Sequence, residues 1–172
     1  MSGSRPETQR ILLRGLLPAL LFLLGGCAYS FTSGLPGHIR TIAIPLFANE
    51  TGEFGVAEEI TDQLSTAFVR DGTLRVVTDE NEASSVLHGT VRTYSEEAAG
   101  FSREERVERF NITIIVDVRF VDRVEEEVLW ESSRLFGSAT YENTGPDQRR
   151  TGLERAIGQV VQEVLNGVVA GW

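Results

Sequence analysis

From Phe110 every second residue is apolar: Phe110, Ile112, Ile114, Val116, Val118 and Phe120. The positions between them are mainly polar (Asn111, Thr113, Asp117, Arg119), with Ile115 and Val121 the exceptions. A period of two predicts a strand of a sheet that is covered on one face. Asp122–Glu127 is a turn, and Val128–Ser138 returns as a further strand. Upstream, Thr41–Phe47 reads as a strand with Ile42, Ile44 and Leu46 on one face, and Pro45 suits an edge or a strand end because it has no N–H to donate. Leu74–Thr78 is a short strand, and Ser85–Ser95 another, with Leu87, Gly89 and Val91 on one face and Val86, His88 and Thr90 on the other. The polar stretch Glu96–Arg106 reads as a long, mobile hairpin connection.

Two segments change period from 2 to 3.6. Over Gly55–Arg70, Val56, Ile60, Leu64, Ala67 and Phe68 share one helical face, and Asp71-Gly72 ends the helix. After Thr144-Gly145-Pro146-Asp147, the residues Leu153, Ala156, Ile157, Val160, Val161, Val164, Leu165 and Val168 form a longer stripe. The order strand, helix, four strands, helix predicts an α+β fold: a two-layer sandwich with a mixed sheet of four to five strands and two helices on one face. A helix between the first two strands permits a parallel crossover, and the later strands suit antiparallel hairpins.

The start of the chain follows neither period. Arg5, Arg10 and Arg14 precede an apolar run from Gly15 to Leu24, followed by Gly25-Gly26-Cys27. Basic, then apolar, then small residues is the pattern of a secretory signal peptide. Even counted from Ile11 the run has 14 residues, is interrupted by Arg14 and Pro18, and is shorter than the ~20 apolar residues of a spanning helix. Gly26-Cys27 resembles the lipobox of bacterial lipoproteins, so residues 1–26 are expected to be removed and Cys27 to carry the acyl chains. Two or more chains give a stable membrane anchor, at about 0.8 kcal/mol per buried CH₂. Ala28 stands where an Asp would resemble an inner-membrane retention signal, which points to the outer membrane. Residues 27–38 then read as a flexible tether and 39–172 as a single domain.

Composition narrows the function. The whole chain has 16 basic and 25 acidic residues; without the three arginines and one glutamate of residues 1–26, 13 and 24 remain, a net charge of −11. Such a surface argues against nucleic-acid binding, which needs phosphate neutralisation. Cys27 is the one cysteine, which leaves no disulfide or thiolate metal site for the domain. His38 and His88 have no helically spaced partner, no glycine-rich loop forms a phosphate cradle, and the carboxylate runs Glu96-Glu97, Glu104-Glu105 and Glu125-Glu126-Glu127 lie in polar turns. No catalytic set, metal site or cofactor is expected. Arg103, Arg106 and Arg109, with Arg92 across the hairpin, concentrate positive charge. Two readings stand: a solvated hairpin salt-bridged to Glu104, Glu105 and Glu108, or a site for an anionic ligand, which arginine forks suit.

The chain resembles the LptE family of lipopolysaccharide-assembly lipoproteins over nearly all of the expected mature length. The resemblance lies in Cys27-Ala28-Tyr29-Ser30-Phe31, in His38-Ile39-Arg40-Thr41-Ile42-Ala43-Ile44-Pro45-Leu46-Phe47 with the following Asn49-Glu50-Thr51, and in Val69-Arg70-Asp71-Gly72. His88-Gly89-Thr90-Val91, Phe120-Val121-Asp122-Arg123 and Leu129-Trp130-Glu131 complete it. It implies a non-enzymatic protein that sits in the outer-membrane barrel LptD as plug and assembly factor and helps deliver lipopolysaccharide, with that lipid as a further binding partner. The Ile-Pro-Leu-Phe-x-Asn-x-Thr stretch followed by an amphipathic helix also looks like curli-export-type lipoproteins, which implies the alternative of an oligomeric envelope or secretion-channel subunit.

Overall fold

The computed structural model describes residues 35–101, 103 and 106–169. Gly26, Cys27, the expected signal peptide and most of the expected tether lie outside them.

Among the described residues six strands form one open mixed sheet. In chain order they are β1 (Thr41–Ala43), β2 (Ala48–Asn49), β3 (Arg75–Val77), β4 (Ser85–Phe101), β5 (Val107–Asp122) and β6 (Val128–Glu142). Helix α1 (Val56–Asp71) lies between β2 and β3, and α2 (Pro146–Val169) ends the described chain. The sheet order is β3-β1-β4-β5-β6, with β2 also on β4; β1 is parallel to β3 and β4, whereas β4, β5 and β6 form an antiparallel meander. This is the expected α+β architecture, with one strand more than the sequence pattern suggested.

One core joins the layers. Val56, Ile60, Leu64 and Phe68 of α1 and Ala156, Ile157, Val160, Val164 and Val168 of α2 pack with Ile112, Ile114, Val116, Val118 and Phe120 of β5. Each large apolar side chain buried this way contributes about 1.5–3 kcal/mol before conformational entropy is subtracted. α1 ends at Gly72 in the left-handed region (φ 75), whose N–H bonds back to Phe68 O at 3.0 Å. No helix among the described residues is long and apolar enough to cross a membrane.

Helix α2 lies unusually close to β6. Gly137 faces it, and a Cβ built there would sit 2.1 Å from the Ala156 carbonyl oxygen. The indole of Trp130 likewise fills the space in which Gly167 has no side chain. From this position α2 also covers part of the sheet's free edge: Gln159 Oε1 accepts the Ser138 N–H (3.0 Å), and Arg155 Nη2 donates to Thr140 O (3.0 Å). Side chains that satisfy edge backbone groups blunt unwanted strand pairing.

The structure corrects the sequence pattern in two places. Thr41–Phe47 is not one strand: after Ala43 the chain leaves the ladder around Pro45, so Leu46 is exposed while Phe47 turns into the core. Glu96–Arg106 is not a long connection either. β4 runs on to Phe101, and β5 begins at Val107. The cause is a register shift between Val91 and Thr93. Leu87 and Val91 pair with Phe120 and Val116 on the helix-covered face; past the bulge, Tyr94 and Glu96 pair with Ile114 and Ile112 on that same face. One extra residue reverses the parity, so the alternation continues with the opposite phase.

Candidate functional site

The bulge at Arg92 is one half of a paired device. A second shift, between Val116 and Val118, carries Ser133 and Arg134 of β6 out of register, and Arg134 adopts φ 66. Asp117 of β5 serves both: its Oδ2 accepts Arg92 Nε at 2.7 Å, and its Oδ1 accepts the Arg134 N–H at 2.9 Å. Arg92 also donates through Nη1 to Glu50 in the loop after β2. The hydrogen bond from Arg92, with that from the Arg134 backbone, holds the Asp117 carboxyl below the usual range. Arg92 is therefore committed to two carboxylates on the sheet face that the helices leave open.

This separates Arg92 from the other sequence-predicted arginines. Arg109 pairs with Gly100 and Glu142 near the hairpin end of β5, eight residues and about 26 Å along the strand from Asp117. Arg106 and Arg109 stay together, bordering a concavity of about 650 Å³ with Val107, Glu108, Glu142, Asn143 and Thr144. Arg103 is exposed in the hairpin turn. The groove is of mixed sign, because Glu108 and Glu142 face the same space as the two arginines.

A polar cluster that the sequence pattern hid lies under the N-terminal end of α2. Arg149 Nε donates to Glu96 Oε2 and its Nη2 to Glu53 Oε1, both at 2.9 Å; Nη2 also donates to the Tyr94 hydroxyl. The hydroxyls of Tyr94 and Tyr141 donate to the two oxygens of Glu96. Burial alone would push the Glu96 carboxyl up; hydrogen bonds from Tyr141, Tyr94 and Arg149 outweigh it and hold the carboxyl below its ordinary value. Burial and the Glu96 charge push the Tyr141 phenol up to about 12. Glu96 thus ties Tyr94, Tyr141 and Arg149 together, and Arg149 extends the cluster to Glu53 in the α1 entry loop. Glu96 stood in a run read as a turn, so nothing in its neighbours marked it.

At the opposite end of β5, Asp122 is 1% exposed. Its Oδ1 accepts the N–H groups of Val124 (2.7 Å) and Glu125 (3.1 Å), closing the turn to β6, and its Oδ2 lies 2.5 Å from His38 Nε2. Burial raises the Asp122 carboxyl, but the His38 hydrogen bond and the two amides bring it below its ordinary value. His38, expected in the tether, is fastened to the sheet. Beside it Ser84 Oγ accepts the N–H groups of Arg40 and Thr41, both at 3.0 Å.

The comparisons with known proteins agree with this architecture. No curated protein matches the sequence. Among solved structures the fold is similar to protein XCC0632 of Xanthomonas campestris, at 16% identity and TM-score 0.56, over 73% of this chain and 81% of that one. It is also similar to PelC of Paraburkholderia phytofirmans, solved as a dodecamer, at 19% identity and TM-score 0.53, over 81% of this chain and 96% of that one. The protein CT253 of Chlamydia trachomatis is a third, at 11% identity and TM-score 0.52, over 75% and 98% of the two chains. At these identities the likeness shows the fold alone. The LptE family's sequence model, described as lipopolysaccharide-assembly, matches residues 39–167, from just ahead of β1 into the last turn of α2. With every strand and nearly all of both helices inside that match, the chain belongs to the LptE lipopolysaccharide-assembly family.

Proposed function

We propose that the protein is an outer-membrane lipoprotein, anchored by acyl chains on Cys27, that pairs with an LptD-like β-barrel as plug and assembly factor and assists lipopolysaccharide delivery to the cell surface. The observation that carries this reading is the family match over residues 39–167. The sheet supports it: the β4-β5-β6 meander presents one face to the helices and leaves the face of Thr113, Ile115, Asp117 and Arg119 for a partner. A plug acts by binding rather than by chemistry, and needs a preformed surface with little ordering to do on association. Asp117 fixes both bulges on the open face and Glu96 fixes the end of α2, which supplies that preorganisation. The groove at Arg106 and Arg109 is where an anionic group, the lipid's phosphates included, would be met; Arg103 is not among its lining residues and Arg92 has no part in it.

The test is an affinity pull-down of the tagged, full-length chain from detergent-solubilised outer membranes. An LptD-like barrel should copurify in near-stoichiometric amount. Absence of a barrel, or recovery of the chain as a ring of its own copies, would overturn the reading, and the second result would favour the oligomeric envelope subunit. For the anchor, Cys27→Ser should leave the protein unprocessed or in the soluble fraction. Normal membrane fractionation and acyl labelling of that variant would refute it.

A further inference from the structure

We infer that His38, Asp122 and Glu125 form a binding site for a divalent transition-metal cation of the zinc class. They come from the segment ahead of β1, the end of β5 and the β5–β6 turn, and one donor atom from each lies within 4.8 Å of the others. The set is one imidazole nitrogen and two carboxylate oxygens. Imidazole suits zinc-like ions, whereas calcium and magnesium prefer six or more oxygen ligands.

The arrangement has a fixed ligand and two adjustable ones. Asp122 is 1% exposed, and its Oδ1 is engaged by the Val124 and Glu125 amides, which aims Oδ2 at His38. Hydrogen bonds that orient a ligating carboxylate are a recurrent feature of metal sites. Zinc bonds to nitrogen and oxygen are about 2.0–2.2 Å, so two tetrahedral ligand atoms stand about 3.3 Å apart. Nε2 and Oδ2 are 2.5 Å apart, a spacing that requires a proton between them. A cation replacing that proton would need them to part by less than about 1 Å. His38 precedes the first strand and Glu125 is exposed on a turn, so a shift of that size breaks no strand pairing. Water completes the coordination on the exposed side. Glu126 and Glu127 add negative charge to the approach, while the nearby cations are Arg40, whose Nε is turned to Gly37 O, and Arg123, which is exposed. A bound ion would staple the segment ahead of β1 to the β5–β6 turn and fix where that segment leaves the domain. The inference does not depend on the barrel partner.

The test is calorimetric titration of the full-length protein in detergent micelles with zinc chloride, paired with cobalt(II) absorption to read the coordination geometry. One equivalent should bind, with a tetrahedral cobalt spectrum. His38→Ala and Glu125→Gln should each weaken binding by about tenfold or more with unchanged far-UV circular dichroism, and His88→Ala should not. Because the imidazole must be neutral and the carboxylates ionised to bind a cation, affinity should fall as the pH is lowered. Absence of saturable one-equivalent binding, wild-type affinity in His38→Ala, or an equal loss in His88→Ala would overturn the site. Wild-type affinity in Glu125→Gln would overturn the three-ligand assignment.

Discussion

Replacing Gly137 with alanine tests how α2 is seated. Gly137 lies on the helix-facing side of β6, opposite Ile114, and its position is buried. An alanine Cβ would sit 2.1 Å from Ala156 O and 3.0 Å from both Ala156 C and Val160 Cγ2. The first of these contacts is with backbone, so no side-chain rotation relieves it. Either α2 retreats or β6 bends, by about 1 Å, and a gap of that size forfeits a quarter to a half of each dispersion contact along the stripe. Ala156, Ile157 and Val160 are fully buried there, so the cost should reach the upper end of the overpacking range, about 3 kcal/mol. For a domain of this size that lowers Tm by about 12 °C. The control is the same substitution at Gly158, two residues further along α2 than Ala156, where an added Cβ meets nothing within 4 Å. In the helix interior Gly158→Ala should stabilise by about 1 kcal/mol and raise Tm by about 4 °C. Thermal unfolding followed by circular dichroism checks both. If Gly137→Ala melts within about 3 °C of the parent, the close seating of α2 is refuted.

Glu96→Gln should weaken the clamp on α2 by about 2 kcal/mol in urea unfolding. It should also bring the Tyr141 phenol down from about 12, since the negative neighbour that opposes ionisation is gone while burial remains; a tyrosinate absorbance titration reads this. Asp117→Ala removes the acceptor at both bulges. At this partly exposed site it should cost about 1 kcal/mol and speed hydrogen exchange of the Arg134 amide more than that of the core amides of β5. Asp117, Asp122 and Glu96 are all depressed from their ordinary values of 3.8, 3.8 and 4.5. Depressed carboxyls bind fewer protons folded than unfolded. Their stabilisation is therefore complete above those ordinary values and is lost as the pH falls through the lower, folded ones. The urea midpoint should be flat from neutrality to about pH 5 and should decline below about pH 4.

The parts of the fold legible in the chain are those whose pattern is local and unbroken. The β5 alternation gave the correct face for each residue from Phe110 to Phe120, and the apolar stripe of α2 gave the buried residues from Ala156 to Val168, because a constant period survives any tertiary context. β4 shows where this fails. Its alternation is intact up to Val91 and again from Tyr94, but the phase reverses at Arg92. A single extra residue made half a strand resemble a polar loop. The arginines were misgrouped for a related reason. The expected pairing across the hairpin placed Arg92 with that set, whereas the register of β4 on β5 puts it beside Asp117, far from Arg109.

The sequence alone determined the two-layer architecture, the buried faces of both helices and the central strand, and the expectation of a lipid-anchored start at Cys27. These depend on hydrophobic periods and short motifs, which are written in adjacent residues. Tertiary structure decided which carboxylates matter. Asp117, Glu96 and Asp122 look like other acids in an acidic chain, and each is distinguished by partners supplied by other elements: Arg92 and Arg134, Arg149 and Tyr141, and His38. A carboxylate's role is set by the donors that reach it and the water excluded around it. Both depend on strand register and on where α2 comes to rest, which no single segment specifies.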